Sequence, residues 1–293
     1  MNNLKLSNLN KIYWPDEKYT KKDLIEYYLK IKDVILPYLK DRPVSMNRFP
    51  DGILGSHFYQ KDTANLKVPG WIETICVNDV NYIMCQNAKT LIYLVNLGCI
   101  EINVWNSRKD SLDFPDYLVL DLDPVEIDFK EVVKIAKVVK SVLDQIGLEG
   151  FAKTSGASGI HIYIPTGGRY DYEQVKQLGK ILATVVHKQS PQNSSVERIE
   201  EKRTGKVYID YLQNNKGQTM ASVYSVRPVA GALVSTPLAW NELNEKLHSD
   251  MFNIKKIPKR VNKKGDLFQP ILSYEGFDME AVLSRLKKEF TSS

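Results

Sequence analysis

Apolar residues recur along this chain with two periods, and the switches between them mark out its elements. After Thr20, the residues Leu24, Tyr28, Ile31 and Ile35 fall at helical spacing. Thr20 with Asp23 three positions later resembles a capping box, so a helix is expected there, ended or closely followed by Pro37. Residues 88–97 and 129–146 carry the same period. Each run is closed by a glycine, Gly98 and Gly147, where a left-handed cap is favoured. Asp171 with Gln174 opens a further helix to about His187, and a last one covers residues 279–290. Ser235-Thr236-Pro237 reads as a helix start, with proline at the first helical position.

Elsewhere the apolar positions read as strands. Residues 71–86 read as two short strands around an Asn78-Asp79 turn, and 99–105 and 117–123 as single strands. Residues 151–153 and 160–164 read as a pair joined by a short glycine- and serine-rich turn, and 206–212 and 218–226 complete the set. Residues 255–264, with six Lys or Arg in ten, read as a basic linker that could touch phosphates. Strand pairs joined by tight turns favour a mixed or antiparallel α+β arrangement over a doubly wound parallel sheet. No repeat or domain break is visible. Residues 1–293 are therefore expected to form one domain, in which an aromatic and basic N-terminal third, residues 1–100, is not separable from a catalytic remainder, residues 101–293.

Composition narrows this little. The chain is 43% hydrophobic and 26% charged, ordinary for a protein with a sizeable core, and its net charge of +5 suits a polyanionic partner without requiring one. Its three cysteines form no C-x-x-C pair and are expected to be buried and reduced. No window approaches the ~20 apolar residues of a membrane span, so a cytoplasmic protein is expected, with no membrane partner.

The candidate chemistry begins at YLVLDLDP, residues 117–124. Leu118, Leu120 and Leu122 share one strand face, and Asp121 and Asp123 share the other. Asp210, in KVYIDYLQN, also ends an apolar strand and could supply a third carboxylate. An all-carboxylate set suits a hard cation, Mg²⁺ or Mn²⁺, and two such ions about 3.5–4 Å apart can serve phosphoryl transfer. The plainer alternative is that Asp121 and Asp123 cap a turn at Pro124. A D-x-D pair also occurs in metal-dependent glycosyltransferases. In KTSGASGIHIYIP, residues 153–165, small residues would let backbone N–H groups approach an anion; the alternative is a simple hairpin with His161 hydrogen-bonded in the core. Arg227 follows a stretch of small residues, where its planar fork would suit phosphates if it is not merely solvated.

Together these stretches, with LSNLNKIYWPDEKYTKKDLIEYY, RPVSMNRFPDGILGSHFYQKD and VYIDYLQNNKGQTMASVYSVRPVAGALVSTPL, resemble the polymerase domain of the bacterial and archaeal ligase D family, in the archaeo-eukaryotic primase superfamily. The resemblance implies a primase-type fold with an RRM-like catalytic sheet flanked by helices. It implies templated nucleotidyl transfer, ribonucleotides preferred, at primer–template DNA ends and gaps in non-homologous end joining. By the same resemblance Asp121, Asp123 and Asp210 match the catalytic, metal-binding triad, with two divalent ions, Mn²⁺ or Mg²⁺. Ser155, His161 and Arg227 match triphosphate positions, and Gln213 one near the incoming nucleotide. Phe58 and Tyr59 match an aromatic pair that stacks on a base end. Lys11 and Lys21 match residues that grip a DNA 5′-phosphate. Asn47 stands where some relatives have lysine, and Asn103 where histidine is common; neither asparagine can carry charge. The implied partners are gapped or broken DNA, NTP or dNTP, a Ku-type end binder and a separate DNA ligase, in a nucleoid-associated cytoplasmic setting. A stand-alone primase and a non-catalytic end-bridging module are the alternatives.

Overall fold

The structure is a computed structural model that describes residues 4–290. In chain order it runs β1 (Ile12–Trp14), β2 (Tyr19–Thr20), α1 (Lys21–Leu39), β3 (Pro43–Arg48), β4 (Phe58–Gln60), β5 (Thr74–Val77), β6 (Val80–Met84), α2 (Ala88–Asn96) and β7 (Cys99–Trp105). There follow β8 (Tyr117–Val125), α3 (Phe129–Ile146), β9 (Phe151–Thr154), β10 (Ile160–Pro165), α4 (Tyr172–Gln189), β11 (Ser194–Ser195) and β12 (Lys206–Asp210). The last elements are β13 (Thr219–Ala221), β14 (Pro237–Leu238), α5 (Ile257–Lys264) and α6 (Met279–Phe290). Two compact units result, each built from three stretches of chain. One takes residues up to 110 with 219–236 and 250–266, the other 111–218, 237–249 and 267 onward. The α+β class holds in both.

In the second unit, six strands lie in the order β11-β12-β8-β10-β9-β14, antiparallel except for the β11–β12 pair. Leu118, Leu120 and Leu122 are fully buried on β8, and α3 and α4 pack on that strand. Removing each leucine from water contributes about 1.5–3 kcal/mol. This burial also fixes the register, because a one-residue slip would bring Asp121 and Asp123 into the core. Helix α3 carries Asp128 at its N-cap and Gly147, at φ 71°, at its end. Helix α4 opens with the expected Asp171–Gln174 capping box.

Pro124 lies inside β8, opposite Val207, so the alternative of a turn capped by Asp121 and Asp123 does not hold. One expectation fails here. Ser235-Thr236-Pro237 starts no helix: Pro237 and Leu238 pair with Lys153 and Ala152, adding β14 to the sheet edge. A proline is tolerated on an edge strand, and the unpaired edge of β9 outcompetes the local helix signal.

In the first unit, β13-β7-β3-β6-β5 form the sheet, with β4 also on β3. Its capping box is as expected, with Thr20 Oγ1 accepting from Asp23 N–H and Asp23 Oδ2 accepting from Thr20 N–H at 2.9 Å. Asn78 and Asp79 take positive φ, 49° and 63°, in the β5–β6 turn. Helix α1, however, runs through Pro37 to Leu39, whereas the sequence reading has it ended or closely followed by that proline. The buried faces of Ile31, Ile35 and Leu39 hold that last turn against the core. The expected strand 218–226 is short, ending at Ala221; Tyr224 then turns at φ 65°. Residues 255–264 are not a linker: α5 packs on α1, with Ile257 fully buried and Lys255 paired to Asp23.

Candidate active site

The second unit's sheet places four polar side chains in one cross-strand row. Asp210 of β12 is directly opposite Asp121 of β8, Asp121 opposite His161 of β10, and His161 opposite Lys153 of β9. Directly opposed residues have Cβ atoms about 4.5–5.5 Å apart. Asp123 lies two residues further along β8, on the same face and opposite Tyr208. Residues separated by up to 89 positions in sequence thus meet because the register is fixed by the leucines beneath them.

The electrostatics of this row are one-sided. Burial pushes the Asp210 carboxyl above the usual carboxylate range, and the charge of Asp121 pushes the same way. Hydrogen bonds from Leu212 N–H (2.7 Å) and the Gln213 amide (3.2 Å) pull against them. Gln213 therefore reaches the site through Asp210. The His161 Nε2 atom is 3.2 Å from Asp121 Oδ1, with both side chains buried. Gly159 admits Asp123 to the row: a Cβ there would lie 2.6 Å from the Leu122 carbonyl and 3.0 Å from Asp123 Oδ1.

Among the described residues, no three His, Cys, Asp or Glu side chains already converge at metal-holding distance. Asp121 and Asp210 are turned onto His161, Leu212 and Gln213 instead. The donor set still fits a hard divalent cation. It offers carboxylate oxygens only, and two like charges directly opposed are destabilising until a cation lies between them.

The turn between β9 and β10 is tightly closed. Ser155 N–H donates to the Gly159 carbonyl, and Ser155 Oγ accepts from Ala157 N–H (3.1 Å) and Gly159 N–H (2.9 Å). Gly156 takes φ 81°. The expected phosphate residue Ser155 is thus the residue that shapes the loop.

The remaining expected residues belong to the first unit and fall in two places. On one face of β3 and β7, Glu101, Asn103 and Asn47 are buried. Glu101 accepts from the Asn47 amide at 3.2 Å and pairs with Arg227 at 3.5 Å. Asn47 also meets His57 at 3.3 Å. Neutral Asn47 here bridges a carboxylate and an imidazole. Asn103 leaves its amide nitrogen buried without a protein partner. Phe58 and Tyr59 are exposed on β4, Phe58 under the Arg48 guanidinium.

The second place is a cavity of about 210 Å³ lined by residues that include Asn8, Lys11, Lys21 and Arg48. Lys11 is paired with Asp51 at 2.7 Å, and the Lys21 ammonium donates to the Asn96 carbonyl at 2.6 Å. Burial, then the charges of Lys11 and Arg48, push Lys21 down to about 8. Three cations around one cavity are chemically suited to an anion. Sequence reasoning missed Arg48, Glu101 and Lys153. Arg48 lies in the stretch RPVSMNRFPDG, but only the fold brings it beside the two lysines.

Carboxylates brought onto one face of a mixed sheet are chemically suited to a hard divalent cation, and likeness to known proteins says in which class of protein they stand. A family model described as LigD, primase-polymerase domain, matches residues 20–268, and the chain belongs to that family. It is 32% identical over 278 residues to the multifunctional non-homologous end joining protein LigD of Pseudomonas aeruginosa, covering 93% of this chain and 33% of that protein. It is 32% identical over 289 residues to the bifunctional non-homologous end joining protein LigD of Bacillus subtilis, covering 98% and 47%. The chain thus spans about a third to a half of these relatives. Its fold matches the polymerase domain of Mycobacterium tuberculosis ligase D, solved in complex with DNA, with a TM-score of 0.86, 26% identity, and coverage of 93% of this chain and 99% of that one. Among the described residues no helix is long and apolar enough to cross a membrane.

Proposed function

We propose that this chain adds nucleotides, ribonucleotides preferentially, to primer–template DNA ends and gaps during non-homologous end joining. The observation that carries this reading is Asp210 directly opposite Asp121, with Asp123 on the same face, in a chain of this family. Asp121, Asp123 and Asp210 would hold two divalent ions, Mn²⁺ or Mg²⁺, which when bound activate the primer 3′-hydroxyl and stabilise charge on the α-phosphate. His161, Ser155 and Arg227 hold the triphosphate, and Gln213 orients Asp210 beside the incoming nucleotide. Asn47 and Asn103 line the nucleotide's place without adding charge. Phe58 and Tyr59 offer exposed rings to a base. Lys11 and Lys21, with Arg48, take the 5′-phosphate across a gap. A Ku-type end binder and a ligase activity are the proposed partners; two of the relatives carry end joining in their names.

The test is primer extension on gapped, 5′-phosphorylated DNA, comparing NTP with dNTP and Mn²⁺ with Mg²⁺. Asp121→Ala and Asp210→Ala should each lower extension by about a hundredfold or more, while DNA binding stays within about twofold. Wild-type extension by either variant would refute the metal assignment. Equal use of NTP and dNTP would remove the ribonucleotide preference.

A further inference from the structure

The row Asp210–Asp121–His161 does not end at the histidine. Lys153 continues it on β9 and is fully buried, because β14 pairs along the outer side of β9 and covers it. A buried ammonium is costly unless it is hydrogen-bonded, so its partners matter. Its Nζ lies 2.8 Å from His161 Nδ1 and 5.4 Å from the centre of the Tyr163 ring.

An ammonium has three donors and no acceptor. Facing it, Nδ1 of His161 must accept, and the ring proton is then carried on Nε2. That nitrogen lies 3.2 Å from Asp121 Oδ1, a buried oxygen with which it makes no hydrogen bond in this arrangement, and a lone pair set against it would be repelled where an N–H is not. A ring protonated on Nδ1 would set donor against donor at 2.8 Å. The hydrogen bond made by one ring nitrogen decides what the other presents.

We propose that Lys153 is a positioning residue that locks His161 as its Nε2–H tautomer. The histidine then presents an N–H rather than a lone pair on the side of the carboxylate row, with Lys153 behind it. In its consequences for turnover this rests on the polymerase reading, in which the same Nε2–H is the group offered to a nucleotide's phosphate oxygens. In this role the lysine acts through the histidine ring.

The test is ¹⁵N-detected NMR of the whole chain labelled at histidine, recorded without nucleotide or metal. His161→Gln identifies the His161 signals among the four histidines. The expected spectrum shows Nε2 protonated and Nδ1 unprotonated but hydrogen-bonded. A proton on Nδ1, in either the other tautomer or the doubly protonated ring, overturns the proposal. Lys153→Met keeps the apolar stem and removes the donor. It should release the ring into a mixture of tautomers and raise the nucleotide KM about tenfold, with kcat within about threefold. A folded Lys153→Met protein with the wild-type ring signals and KM also overturns it. If that variant fails to fold, the wild-type spectrum still decides. A wild-type protein that adds no nucleotide yet shows the Nε2–H spectrum counts against the polymerase reading and supports the ring assignment.

Discussion

Lys21 shows how a single side chain can be tuned by its neighbours. Its ammonium is held down to about 8 from its ordinary 10.5, by burial first and by Lys11 and Arg48 next. The charged form is therefore disfavoured in the folded state. That penalty is fully present below pH 8 and fades as pH rises toward 10.5, because the unfolded chain binds the proton over that window. A phosphate in the cavity would be held by the charged form. The preference for 5′-phosphorylated over 5′-hydroxyl DNA should be largest below pH 8 and shrink above it, as fluorescence anisotropy would show. A preference unchanged from about pH 7 to about pH 9.5 would take Lys21 out of the site. Lys11→Ala should weaken binding to 5′-phosphorylated ends about tenfold and to 5′-hydroxyl ends little, the loss of one charged hydrogen bond. Both lysines were singled out in the sequence through family resemblance, and the fold places them on one cavity. Arg48 was not assigned a role, since an arginine on a strand ordinarily reads as a solvated edge residue. Lys153 was hidden for a similar reason, as lysines are almost never fully buried unless paired.

Among the elements, the β9–β10 turn is built around backbone space as much as side chains. Gly159→Ala puts a methyl group 2.6 Å from the Leu122 carbonyl and 3.0 Å from Asp123 Oδ1. It should cost about 1–3 kcal/mol, read as a lower Tm, and reduce nucleotide addition further by displacing Asp123. Gly70→Ala, with nothing within 4 Å of the added carbon, is the control and should leave both unchanged. Elements defined by local chemistry were legible: the capping boxes at Thr20 and Asp171, the Asn78-Asp79 turn and the glycine end of α3 all depend on residues within a few positions of one another. Those decided by a distant neighbour were misread. Pro237 is drawn into an edge strand by β9, and the basic stretch 255–264 is wound into a helix by burial of Ile257.

For the molecule as a whole, neither compact unit is a continuous piece of chain. The first unit needs residues from beyond position 218. Ser225 Oγ accepts from Ile102 N–H at 2.8 Å, Tyr28 Oη accepts from Val226 N–H at 3.0 Å, and the Tyr27 hydroxyl donates to the Tyr224 carbonyl at 2.8 Å. A fragment ending at residue 110 would lose β13 and leave these buried groups unsatisfied, at about 1–3 kcal/mol each. Such a fragment should show no cooperative melting and poor amide dispersion. A well-dispersed, cooperatively melting fragment would show that the later segments are dispensable to that unit.

The order of residues was enough to set the two-faced strand at Asp121 and Asp123, because side-chain alternation is a property of every strand. Through turn and cap chemistry it also set most helices and hairpins. That Asp210 is opposite Asp121, and that Lys153 stands behind His161, was settled only when the strands paired in three dimensions. Those pairings depend on strand order and register, which are set by burying one apolar face and are not written in any local stretch of the chain.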